Sequence, residues 1–132
     1  MKLKRAAGAI LVLLIICFAI PARAADRMHA GLWVGSTVVA GKTFPTSSCI
    51  SAKDADAMNG DAKAITAYLQ TIIPPEMCAI TNVKAEGSEV IYTASCMKAA
   101  PKVVTTSYHG TSSEGTDSTG AKTTAKLVGP CK

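Results

Sequence analysis

The spacing of hydrophobic positions changes several times along the chain, and each change marks an element. Ala6–Ile20 is an unbroken uncharged run rich in Leu and Ile. Gly31–Ala40 (GLWVGSTVVA) is rich in β-branched residues and predicts a first strand, with a turn at Gly41-Lys42. Thr43-Phe44 is expected to pair locally, and Pro45–Ser48 to form a loop into Cys49. Ser51, with Asp54 three residues later, is a helix N-cap with an acidic first turn. A short helix over Ala52–Met58 then stops at Asn59-Gly60. Asp61 caps a second helix, in which Ile65, Tyr68, Leu69 and Ile72 follow an i, i+3, i+4, i+7 stripe expected to pack on a sheet. Pro74-Pro75 ends it near Ile73.

The second half reads as strands. Cys78–Cys96 predicts a β-hairpin turning at Glu86-Gly87-Ser88. Pro101–Tyr108 is a further strand candidate, and Ala125–Val128 is a last one before Gly129-Pro130-Cys131. Between them, Thr111–Thr124 holds eight Ser/Thr in 14 positions and no large apolar residue. Composition allows it to be either a polar edge hairpin or a mobile loop. The fold class read from this order is α+β. An antiparallel sheet of about four to six strands carries one or two short helices, inserted after the first strand and packed on one face.

Charge changes the picture only at the N-terminus. The formal net charge is +5, but four of the 14 basic residues (Lys2, Lys4, Arg5 and Arg23) and none of the nine acidic ones lie in the first 24 residues. Residues 25–132 keep ten basic residues against nine acidic, a net +1. That near-neutrality removes the electrostatic footprint of a nucleic-acid binder. Met1–Arg5 is a basic n-region, the following run is an apolar h-region, and Ala22-Arg23-Ala24 has the small-x-small form that signal peptidase accepts. Residues 1–24 are expected to be a signal peptide cleaved after Ala24, and 25–132 a single exported domain in the periplasm. Only 17 uncharged residues, Pro21 among them, separate Arg5 from Arg23, fewer than the roughly 20 of a spanning helix. No other stretch is apolar enough to cross a bilayer, so no transmembrane segment is expected after cleavage. Cys17 follows Ile16, too bulky for a lipidation site, and reads as part of the h-region.

Export gives the remaining cysteines a meaning. Cys49, Cys78, Cys96 and Cys131 are even in number and bound for an oxidising compartment, so two disulfides are expected. Folding the hairpin about Gly87 pairs residues whose numbers sum to 174, as those of Cys78 and Cys96 do. Residues opposite each other in a sheet have Cβ atoms roughly 4.5–5.5 Å apart, close to what a disulfide needs. Cys49 and Cys131 remain as the second pair, a long staple. Leu, Ile, Val and Phe number only 18 of the 108 residues after the signal segment, so the staples compensate for a thin core.

Catalytic and metal-binding patterns are sparse. No C-x-x-C occurs, so neither a thioredoxin-like pair nor a zinc knuckle is signalled. G-x-S-x-G, the P-loop and the dinucleotide glycine pattern are missing too. His109, Glu114 and Asp117 are one conceivable acid/base or metal group, but they fall in the most polar stretch and read as surface side chains. His29 with Met58, Met77 or Met97 is a conceivable copper set, though scattered Met more often fills core gaps. Asp54, Asp56 and Asp61 lack calcium-loop spacing and read as helix-end charges. No cofactor is expected. Trp33 is either a core anchor or part of an apolar ligand groove beside Phe44, Tyr92 or Tyr108.

Three landmarks recur in order: Gly31-Leu32-Trp33, Cys49-Ile50-Ser51 and Gly129-Pro130-Cys131, with Cys78 and Cys96 between them. In this the chain resembles a family of small exported Gram-negative proteins of unknown function, over about Gly31–Cys131. Val34 stands where an acidic residue usually follows the Trp, and Tyr108-His109-Gly110 where a Gly-Asp step is common. The resemblance implies export, disulfides and fold, and no activity. The reading that follows is a monomeric, non-enzymatic binding module of the cell envelope. Its partner is a protein, a lipid or a glycan, engaged through the sheet face or a sheet edge. The alternative is a thiol-disulfide or metal-handling periplasmic protein.

Overall fold

A computed structural model describes residues 25–132; residues 1–24, where a signal peptide containing Cys17 is expected, lie outside the described residues. Nine elements follow in order: β1 (Gly31–Val39), β2 (Lys42–Ile50), α1 (Ala52–Met58), α2 (Ala62–Ile72), β3 (Cys78–Glu86), β4 (Glu89–Cys96), β5 (Lys102–Tyr108), β6 (Ser112–Asp117) and β7 (Lys122–Gly129). The seven strands form one antiparallel sheet in the order β2-β1-β7-β6-β5-β4-β3. The protein is thus mostly β, with more strands than the sequence led us to expect.

The two extra strands have physical explanations. In β2, Lys42–Cys49 is exposed throughout, so it shows no alternation of apolar and polar residues for a sequence reading to find. An edge strand paired on one side also tolerates proline. Counting from Val39↔Lys42, which closes the two-residue turn, Pro45 falls where its nitrogen faces away from β1. The polar segment 111–124 is a hairpin, formed by β6 and the start of β7, but it is not at the edge: β6 sits between β5 and β7, inside the sheet. Backbone pairing on both sides holds it there, and only Ser113 in it is buried.

Both helices begin as their caps dictate. Ser51 Oγ accepts from the Asp54 amide at 3.1 Å, and Asp61 Oδ1 accepts from the Ala64 amide at 2.9 Å. Asn59 ends α1, and Ile73 ends α2 ahead of Pro74. The apolar stripe of α2 divides along its length: Ile65 and Leu69 are buried, whereas Ile72 is 57% exposed. The helix therefore packs on the sheet at its start and leaves the sheet face uncovered at its end.

The core lies at the N-terminal end of α2, where Met28, Trp33, Ile50, Met58, Ile65 and Val90 meet. A polar plug closes this end. Arg27, 4% exposed, donates from Nε to the Gly87 carbonyl at 2.8 Å, and from Nη1 to the Met58 and Gly60 carbonyls at 3.1 and 2.9 Å. Asn59 Oδ1 accepts from the amides of Arg27 and Met28, and its Nδ2 donates to the Met28 carbonyl. One arginine thus ties the N-terminal segment, the helix junction and the β3–β4 turn together, and carbonyls meet the donors that burial would otherwise leave unpaired.

The Cys78–Cys96 disulfide joins opposite residues of β3 and β4, with Cα atoms 4.0 Å apart. Cys49–Cys131 carries the C-terminus across to the edge strand β2, with Cα atoms 5.6 Å apart.

Candidate functional site

Alternation along the strands sends one set of side chains to the face that α2 covers in part. Trp33 and Thr37 of β1, Thr46 and Ser48 of β2, Tyr92 of β4 and Val104 and Thr106 of β5 share that face. With Tyr68, Leu69, Ile72 and Ile73 of α2 opposite them, they enclose an open groove of about 600 Å³. The sheet and helix together form a cup, shut at the Arg27 plug and open where α2 ends.

All three tyrosines of the chain line this groove, one from α2, one from β4 and one from β5. Burial raises the Tyr108 hydroxyl to about 12, with Tyr92 adding to the shift. Burial also raises Tyr68 and Tyr92, with smaller contributions from the charges of Asp54 and Asp117 respectively. All three are neutral phenols across the physiological range, able to donate a hydrogen bond into the groove. Trp33 is 4% exposed at the groove floor, and its indole Nε1 donates to the His29 carbonyl at 2.9 Å. It is a core anchor and a groove wall together, in the company of Tyr92 and Tyr108. Phe44 lies at the open end and is 52% exposed.

Among the described residues, Lys102 and Asp117 are the only acidic or basic side chains lining the groove, with Lys102 Nζ 3.6 Å from Asp117 Oδ2. The Thr119 hydroxyl, the Thr119 and Ala121 amides and Lys102 hold the Asp117 carboxyl below its usual value. The Thr119 hydroxyl contributes most to that shift and Lys102 least.

The other candidate groups are not brought together. His29 pairs with Asp26 at 2.8 Å near the plug, while Met77 and Met97 sit at the opposite, open end and Met58 is buried. Glu114 belongs to the outer face of the sheet, with Thr105, Ser107 and Thr124, whereas Asp117 faces the groove. Asp54 and Asp61 serve the helix starts. Among the described residues, no three His, Cys, Asp or Glu side chains gather as a metal site. Arg27 and Gln70 were not legible as important residues, and Asn59 was legible only as the stop of α1. The backbone partners of Arg27 lie 31 to 60 residues away along the chain, and those of Gln70 reach past the end of its helix into β3, contacts that no local motif encodes.

Residues 28–131 match the family described as Protein of unknown function (DUF3617). The chain belongs to that family. The match begins at Met28, the first apolar residue of the core, and ends at Cys131, the last disulfide partner, so it spans the whole sheet and both helices. Neither curated proteins nor solved structures give a match to the chain.

Proposed function

We propose that this chain is a non-enzymatic binding module of the bacterial periplasm, exported on residues 1–24 and cleaved after Ala24, and that its cup holds a lipid-type ligand. The observation that carries this is the open groove of about 600 Å³, within the roughly 300–1,000 Å³ range of small-molecule sites. Its walls favour an acyl chain over a glycan: Ile72, Ile73, Leu69, Val104 and the aromatic faces supply apolar surface, and the hydroxyls of Thr37, Thr46 and Thr123, on the adjacent strands β1, β2 and β7, suit a polar head. His29 and His109 stay outside the lining, which leaves its serines without an imidazole base.

Both sheet edges are poor docking sites, which turns attention to the face. Pro45 offers no outward amide on β2, and β3 is already engaged by α2. The thiol-disulfide alternative finds less support, because both cysteine pairs are joined and Cys78–Cys96 completes a hairpin ladder.

The test is native mass spectrometry of protein exported on its own leader, followed by titration of delipidated protein with a fluorescent fatty acid. A lipid-sized adduct, or saturable binding weakened at least tenfold by Val104→Asp, supports the reading. A bare polypeptide mass with no fatty-acid binding overturns it.

A further inference from the structure

The two ends of the cup differ in charge and in apolar exposure. At the open end lie the last residues of β1, β4 and β6 and the first residues of β2, β3, β5 and β7, as the pairings Val38↔Lys122, Thr116↔Lys122, Ala94↔Lys102 and Cys78↔Cys96 require. Four lysines stand there: Lys42 opening β2, Lys98 in the β4–β5 turn, Lys102 opening β5 and Lys122 opening β7. The acids at that end are Glu76 and Asp117, and Asp117 is already engaged by loop amides and Lys102. The closed end is close to balanced. Asp26, Asp54, Asp56, Asp61, Glu86, Glu89 and Glu114 stand there against Arg27, Lys53, Lys63, Lys84, Lys126 and Lys132. The excess of positive charge among the described residues is therefore at the open rim.

Exposed apolar side chains concentrate at the basic end. Met97 is 72% exposed and Met77 60%, and they extend the β3–β4 ladder past the disulfide, with the Met97 amide donating to the Met77 carbonyl at 3.2 Å. Ile72, Phe44 and Val39 complete the rim. Flexible apolar side chains ringed by lysines match a surface with anionic head groups above hydrocarbon: the lysines meet the charge, and Met, Ile and Phe enter the interface between them. The groove opens through the middle of this rim, so a docked cup faces the bilayer with its mouth.

We propose that the open rim, built from Lys42, Lys98, Lys122, Met77, Met97 and Phe44, is a docking surface for an anionic lipid bilayer. This goes beyond ligand capture by the groove and does not depend on it, since the six rim residues named all lie outside the groove lining.

The experiment is co-flotation of the exported protein with protein-free vesicles, either pure phosphatidylcholine or phosphatidylcholine with about one-third phosphatidylglycerol. Binding is expected only to the anionic vesicles, and screening should lower it roughly tenfold or more between about 50 and 500 mM salt. The triple charge reversal Lys42→Glu/Lys98→Glu/Lys122→Glu and, separately, Met77→Asp/Met97→Asp should each weaken it about tenfold or more. Fatty-acid binding and circular dichroism should stay unchanged. Lys53→Glu/Lys63→Glu, at the closed end, should bind vesicles like the parent. Equal binding to neutral vesicles, an equal loss in the closed-end variant or no flotation at all overturns the proposal. So does flotation only with vesicles carrying envelope proteins, which would make the rim a protein-docking surface. Failure of the groove reading shows separately, as lost fatty-acid binding with vesicle flotation intact.

Discussion

Gln70 lies against Ile80 as a neighbouring strand would. Its Oε1 accepts from the Ile80 amide at 3.3 Å, and its Nε2 donates to the Cys78 carbonyl at 3.3 Å and to the Ile73 carbonyl at 2.8 Å. A side-chain amide has the donor and acceptor pair of a peptide group, so one glutamine on α2 occupies the free edge of β3 and fixes the helix end to the sheet. Open strand edges invite pairing with other chains.

Replacing this amide should expose the edge. Gln70→Leu is expected to cost about 1–3 kcal/mol, since the Ile80 amide and the Cys78 carbonyl lose their partner. Hydrogen exchange at the Ile80 amide should rise well above that at neighbouring β3 amides, and aggregation should quicken. An unchanged Ile80 exchange rate would show that the contact has no weight in solution.

Gly35 is demanded by the close approach of β7. A Cβ built on it would fall onto the Thr124 carbonyl oxygen and within 2.7 Å of the Ala125 Cα, and backbone cannot yield as a side chain can. Gly35→Ala should therefore destabilise by about 2–4 kcal/mol in urea unfolding. Gly115→Ala is the control: its Cβ would meet the Thr106 hydroxyl at 2.9 Å, a side-chain contact, with the nearest backbone atom at 3.5 Å, so the loss should be smaller.

The two disulfides should differ in weight. Cys49–Cys131 spans a sequence separation of 82 and Cys78–Cys96 one of 18. In the chain-entropy picture the longer loop contributes about 4.5 kcal/mol and the shorter about 3. Paired Cys→Ala substitutions, compared by melting temperature, should rank in that order. The reverse ranking would mean that native-state packing at the hairpin, and not loop closure, dominates.

Alkaline pH should unfold the protein through its tyrosines. Tyr108 titrates near 12 when folded against about 10 when unfolded, so the folded state holds the proton more tightly. Its contribution is complete below pH 10 and is lost as pH rises from 10 towards 12, with a slope of at most about 1.4 kcal/mol per pH unit. Tyr68 and Tyr92 shift in the same direction. Tyr108→Phe should flatten that decline in unfolding free energy; an equal slope would place the effect elsewhere.

How far the fold was legible depends on the range of each contact. The helix starts were written in Ser51/Asp54 and Asp61, because a cap acts within three residues. The hairpin is subtler. At the turn, pairs such as Glu86↔Glu89 and Lys84↔Ile91 sum to 175, one more than a fold about Gly87 gives. A bulge at Asn82-Val83, with Asn82 at φ +53°, removes that residue, and Cys78 faces Cys96. Counting reached the same pairing without containing the bulge. Strand β2 escaped notice because it buries almost nothing, and β6 because its threonines and serines advertise a surface loop.

The sequence by itself determined the cysteine inventory, the two capped helices and the membership of Trp33 and Leu69 in apolar patterns. Each follows from composition or from contacts within one turn or one hairpin. Tertiary structure alone decided that β6 lies inside the sheet, that Arg27 plugs one end and that three tyrosines from three elements meet in a groove. It also decided that the lysines of four separate segments share a rim. The physical reason is that strand order and the side on which α2 packs are set by backbone pairing and burial summed over the whole chain. No residue carries that sum in its own neighbourhood.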